Sequence, residues 1–243
     1  MSIAEKLIII AENVEKVYEA GKKNGYGGYE DGFRDGLEEG ERRGIELGKE
    51  AERNAFWDAY QQNGKRTAYT FAFYSQGWTD DTFKPKYDII ASGNCSSAFA
   101  YSRITKIENV DIDFTSATVE NSTNAFFNQA TSLKTIRKLK FATTTPIHFA
   151  MFNGCSTLEN ITIEGKIGNS ISFGYSPLLT ADSVKSIVDS LYQYQYGDSK
   201  WGTVSLTMKS EAWSRFANTE PLPESTPSWE LFVESIGWNL VLV

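Results

Sequence analysis

Apolar residues recur along this chain with several different periods, and each period predicts its own element. At the start, Ile3, Leu7, Ile10, Val14 and Val17 are spaced 4, 3, 4 and 3. That spacing is a heptad seam with Leu7 and Val14 at a and Ile3, Ile10 and Val17 at d. Isoleucine at d favours three or four strands over two, so the seam predicts a homo-oligomer, with a trimer preferred. The alternative is one amphipathic helix docking on a globular partner. From Gly28 the period changes to four, with Gly32, Gly36, Gly40, Gly44 and Gly48 following at strict intervals among Glu, Arg, Lys and Leu. Each glycine opposes a helix by about 1 kcal/mol relative to Ala. Six cost on the order of 6 kcal/mol, which close approach of another backbone would offset. The pattern predicts a water-soluble assembly helix ending at Asn63-Gly64, with a spacer of weak helicity as the bland alternative.

Beyond it the period shortens to two. Tyr69, Phe71 and Phe73 alternate with small or polar residues, which predicts a half-buried strand. Trp78, Phe83, Pro85 and Tyr87 supply the apolar content of a neck over 64–90. A degenerate repeat then runs from 91 to 180. Phe99, Phe127 and Phe152 each precede a short Asn/Ser/Cys turn and a Leu/Ile run, and alignment on Ile104, Leu133 and Leu158 gives periods of 29 and 25. Such a unit cannot bury its apolar face alone, so neighbours must stack as a solenoid. Over 181–243 the elements mix. Thr180 reads as an N-cap before Val184, Ile187, Val188 and Leu191. Val204–Met208 reads as a strand, Glu211–Phe216 as a short helix, Ser228 as a second cap and Trp238–Val243 as a final strand. The expected end is a cap over the solenoid's open side.

The 243 residues, 41% of them hydrophobic, suffice for one or two packed domains. The net charge of −7 argues against a nucleic-acid surface, which needs clustered Lys and Arg. Residues 1–63 hold 9 basic against 14 acidic side chains, so five of the seven net charges fall in the predicted helix, on a solvated face. The opening MSIAEKLIIIAENVEKV has too short an apolar run for a signal peptide, and no stretch is long enough for a membrane span. The expectation is synthesis in a host cytoplasm without general secretion. Cys95 and Cys155 read as buried free thiols in preference to one disulfide.

The repeat resembles the leucine-rich repeats of BspA type, most closely in FNGCSTLENITI; Ala or Ser stands for Cys in the two earlier units. The whole layout is similar to proteins encoded by tailed phages and prophages of gut bacteria. The stretches that carry this are MSIAEKLIIIAENVEKVYEAGKKNG, NAFWDAYQQNGKRTAYTFAFYSQGWTDDTFKPKYDI, SLTMKSEAW and GWNLVLV. The resemblance implies a virion protein at a tail, baseplate or capsid position. The fold expected is therefore mixed α and β: a long N-terminal helical stalk over 1–63, an irregular leucine-rich-repeat solenoid and a C-terminal cap.

No constellation points to catalysis, a metal or a cofactor. His148 is the lone histidine and reads as a core or edge residue, Asp80-Asp81 as a turn, and Asp111/Asp113 as the solvent side of a strand. The most suggestive binding feature is Tyr192, Tyr194 and Tyr196 with Trp201, a candidate surface for a host glycan or protein. The function expected is a non-enzymatic, exposed virion protein, attached to other virion proteins through its N-terminal helix. A bacterial surface adhesin or a decoration protein without ligand are the alternatives.

Overall fold

A computed structural model describes Phe73 and residues 78–81, 83–85 and 87–243, all within one compact unit spanning Trp57–Val243. The heptad residues Ile3 to Val17 and the glycines Gly28 to Gly48 lie outside the described residues.

The Leu/Ile runs form a parallel sheet. Its strands are β1 (Ile89–Ile90), β2 (Lys106–Ile107), β3 (Ile112–Asp113), β4 (Thr135–Phe141) and β5 (Asn160–Gly165). Short β2 and β3 both pair with β4, so they are two halves of one turn of the chain, interrupted at Glu108–Asp111. Ile107 stands opposite Ile136, and Ile136 opposite Ile161. These steps of 29 and 25 residues equal the sequence periods. A second row runs Ile89, Ile112, Leu139 and Ile163. Parallel strands need long crossovers, and each crossover here returns through the opposite wall.

That wall is a stack of turns joined by backbone bonds: Phe99 N–H to Phe126 O, Tyr101 to Asn128, Phe127 to Met151 and Gln129 to Asn153, at 2.7–3.0 Å. Adjacent backbones about 5 Å apart bring equivalent rings into register. Phe73, Phe99, Phe127, Phe152 and Phe173 form a column with successive centroids 4.5, 5.5, 5.3 and 4.6 Å apart. All five are buried, each contributing about 1.5–3 kcal/mol of apolar transfer. Phe73 itself sits in a turn, not in the strand that alternation predicted, and Tyr69 and Phe71 lie outside the described residues.

Where another strand would pair with β5, helix α1 (Ala181–Asp189) lies instead. Its Thr180 cap accepts from Ser183 N–H, and Val184, Ile187 and Val188 are buried. A second sheet, also parallel, has the order β6 (Ile171–Phe173), β7 (Val204–Met208), β8 (Trp238–Leu242). Helices α2 (Ser210–Ala217) and α3 (Trp229–Ser235) are joined by Trp213 Nε1–H donating to Glu230 Oε1 at 2.6 Å. Ser228 caps α3 through Leu231 N–H.

The expected fold class is corrected by this arrangement. The described residues are dominated by parallel sheet, and their three helices have only nine, eight and seven residues. No long helical stalk is among them, since 1–63 lies outside. Strand β8, near the end of the chain, pairs only with β7 among the described residues. The reason is that parallel ladders satisfy backbone groups between turns of the chain, so helix is confined to places where a ladder stops.

Candidate recognition surface

After α1 the parallel bridge Ile167–Leu191 holds the chain to the preceding turn, and Tyr192 N–H donates to Ile167 O at 2.8 Å. Residues 192–203 then leave the ladder and return as β7. Polar and glycine content drives this departure: GDSKWG offers turn residues and no apolar alternation. Two tight turns follow. Asp198 N–H donates to Gln195 O while its Oδ2 accepts from Gln195 N–H, and Thr203 N–H donates to Lys200 O.

Two side chains lock the loop onto one carbonyl. Tyr194 is 8% exposed, and its hydroxyl donates to Gly168 O at 2.6 Å. Lys200 Nζ donates to the same oxygen at 3.0 Å and to Asn169 Oδ1 at 2.6 Å. Burial, then the neighbouring Tyr192 and Asp198, push the Tyr194 phenol above its ordinary value, so it stays a donor. The far side is tied by Trp238 Nε1–H to Tyr192 O and by Gly202 N–H to Gly237 O, both 2.8 Å. Trp201 lies over Gly237, whose φ is +88°; a Cβ there would come within 2.8 Å of the indole.

The loop's product is an aromatic corner. Tyr196 is 91% exposed, and its ring meets Trp201 edge-on, at 6.0 Å and 74°. Gln193, Gln195, Asp198 and Ser199 of the same loop are also exposed. An edge-on aromatic pair in a loop carrying exposed amides, a carboxylate and a hydroxyl can stack against the C–H face of a sugar while bonding its hydroxyls. The four aromatics read from the sequence thus divide. Tyr196 and Trp201 come together at the surface. Tyr194 is an internal anchor, and Tyr192, 37% exposed, packs edge-on against it at 4.9 Å. Sequence reasoning missed Lys200, Asn169 and Gly237, whose roles depend on a turn of chain about thirty residues away; no local signal marks them.

The remaining candidates are structural. Asp80 Oδ1 accepts Thr105 N–H at 2.8 Å, and Asp113 Oδ1 accepts from Thr115. Asp111 does not face solvent as predicted. It is buried and meets Lys140 Nζ at 2.8 Å and Arg137 Nε at 3.0 Å, the second contact lacking hydrogen-bond alignment. Its bond holds the Lys140 ammonium above the usual lysine value. Half-buried His148 accepts Ala150 N–H at Nδ1 and presents Nε2 3.9 Å from Glu120. Cys95 and Cys155 are buried thiols outside any disulfide, and burial pushes both up, Cys155 to about 12. Among the described residues no group of His, Cys, Asp and Glu is placed to hold a metal, and no helix is long and apolar enough to cross a membrane. No protein-family model, curated protein or solved structure matches this chain.

Proposed function

We propose that the chain is a non-enzymatic virion protein of a tailed phage, displaying the loop 192–203 to a glycan of the host surface. The observation that carries the recognition half of this reading is Tyr196. An aromatic side chain left 91% exposed gains little burial from folding, yet its loop is fixed by Tyr194 and Lys200. Rigid aromatics held in solvent lose little entropy on binding, so the arrangement suits recognition better than packing. The virion half rests on the sequence resemblance.

The test is binding of the purified chain to host envelopes and to their isolated surface polysaccharide. Tyr196→Ala and Trp201→Ala should each weaken binding tenfold or more, while the melting transition of Tyr196→Ala stays in place. Equal binding by wild type and both variants would remove the loop from recognition. Absence of any envelope binding, with the chain still recovered in purified particles, would leave a decoration role. Recovery from uninfected envelopes and not from particles would support a bacterial adhesin instead.

A further inference from the structure

The loop 192–203 carries one basic and one acidic side chain, and the fold treats them oppositely. Lys200 is half-buried, and its Nζ is turned onto two neutral oxygens of an earlier turn, Gly168 O at 3.0 Å and Asn169 Oδ1 at 2.6 Å. Asn169 is itself tied down, since its Nδ2 donates to Thr145 O at 2.7 Å. Asp198 stays exposed. Its Oδ2 accepts Gln195 N–H at 2.8 Å, its N–H donates to Gln195 O at 2.9 Å, and its carbonyl accepts Trp201 N–H at 3.0 Å. It is therefore the residue shared by two consecutive turns, 195–198, which carries Tyr196, and 198–201, which ends at Trp201. These bonds orient the carboxylate and leave Oδ1 without a hydrogen-bond partner among the described residues.

That division decides between classes of sugar. An acidic sugar brought to Tyr196 and Trp201 would meet an exposed carboxylate in the same two turns, no loop cation turned to solvent, and a chain of net charge −7. Like charges in that setting repel. The Asp198 charge is felt inward too, being among the causes that raise the Tyr194 phenol, after burial and Tyr192. An uncharged pyranose meets the same carboxylate as an acceptor for its hydroxyls, and such charge-assisted bonds are roughly twice as strong as neutral ones. We propose that the loop selects an uncharged hexopyranose and rejects acidic sugars, with Asp198 Oδ1 accepting the sugar's hydroxyls and the loop's cation, Lys200, withdrawn into the fold. This rests on the reading of the loop as a glycan site and adds the class of glycan and the residue that sets it.

The experiment takes the host's isolated surface polysaccharide, partially hydrolyses it and divides the fragments by anion exchange into uncharged and acidic pools. The wild-type chain should bind the uncharged pool, and Tyr196→Ala should abolish that binding. Asp198→Asn keeps an oxygen for the Gln195 N–H but removes the charge, so affinity for the intact polysaccharide should fall about fivefold. An acidic ligand gives the opposite sign, because removing the carboxylate would tighten its binding. Raising NaCl from about 50 to about 500 mM should leave affinity within about twofold, since no ion pair is there to be screened. Binding confined to the acidic pool, a tighter complex with Asp198→Asn, or a loss of about tenfold in salt would each overturn the inference while leaving the loop a glycan site. The pool assay uses the wild-type chain, so it decides even where Asp198→Asn disturbs the turn. Intact polysaccharide bound equally by wild type and Tyr196→Ala, or not bound at all, would overturn both readings.

Discussion

Ser183 Oγ accepts the N–H of Ile161 at 3.0 Å and donates to Glu159 O at 3.0 Å, so one hydroxyl of α1 does for β5 what a further strand would have done. Ser186 repeats the acceptance at Ile163 N–H at 2.8 Å, three residues on. A helix cannot match a strand's 3.3 Å repeat with its own backbone, but i, i+3 side chains about 5 Å apart approximate the spacing of alternate strand residues.

Ser183→Ala should accordingly cost about 1–3 kcal/mol, because it orphans the buried Ile161 N–H, while Glu159 O keeps the Thr180 N–H. Ser183→Thr, which keeps the hydroxyl, should recover part of that. Urea unfolding at constant m-value is the measurement.

Gly165 should tolerate no side chain. Its φ is +89°, and a Cβ would overlap the carbonyl oxygen of Phe141 on the paired strand. Gly165→Ala is expected to lose about 2–4 kcal/mol through strain and displacement of β4. Gly93→Ala is the control, since nothing lies within 4 Å of an added Cβ there, and its urea midpoint should scarcely move.

Stability should fall in alkali. Cys155 is held near 12 in the folded chain, against about 9 when unfolded, so the fold binds this proton more tightly. Its contribution is complete below pH 9 and is lost as pH rises from 9 towards 12, at up to about 1.4 kcal/mol per unit. Tyr194, also raised, acts with the same sign. Urea midpoints measured between pH 8 and 11 should decline, and Cys155→Ala should flatten the decline relative to its own value at pH 8. Alkylation of Cys155 at pH 8 should follow global unfolding.

The recognition loop should loosen without the sheets. Tyr194→Phe keeps the buried ring but removes the bond to Gly168 O, and Lys200→Met removes the second bond to that oxygen. Each should cost about 1 kcal/mol. Together they should speed hydrogen exchange at Asp198 and Trp201, leaving the amides of β7 unchanged.

Much of the stacking was legible because burial on one wall forces a Leu or Ile at a fixed place in every turn of the chain. The spacing of Ile104, Leu133 and Leu158 reproduces the pairing of Ile107, Ile136 and Ile161. Phe173 escaped notice as the next ring in the column because no Leu-x-x-Ile follows it. A helix takes that place, and the signal was the pair of serines on its face. The loop was legible only by composition. The alternation of Tyr192, Tyr194 and Tyr196 suggests one shared face, but the turn at Tyr196-Gly197 breaks any strand and sends Tyr194 inward. Asp111 misled for the opposite reason: the carboxylate is buried because Lys140, one turn of the chain further on, reaches it. A contact across that distance leaves no trace in local pattern.

The phenylalanine column has a consequence for how the molecule comes apart and together. Each ring touches the rings of adjoining turns, and those turns are separated by only 21 to 28 residues of chain. Closure between neighbours therefore never spans a long loop, however many turns are stacked, so folding can start at one turn and zip outward. Pulled from one end, such a column should yield in steps, one ring at a time, like a spring uncoiled by single windings.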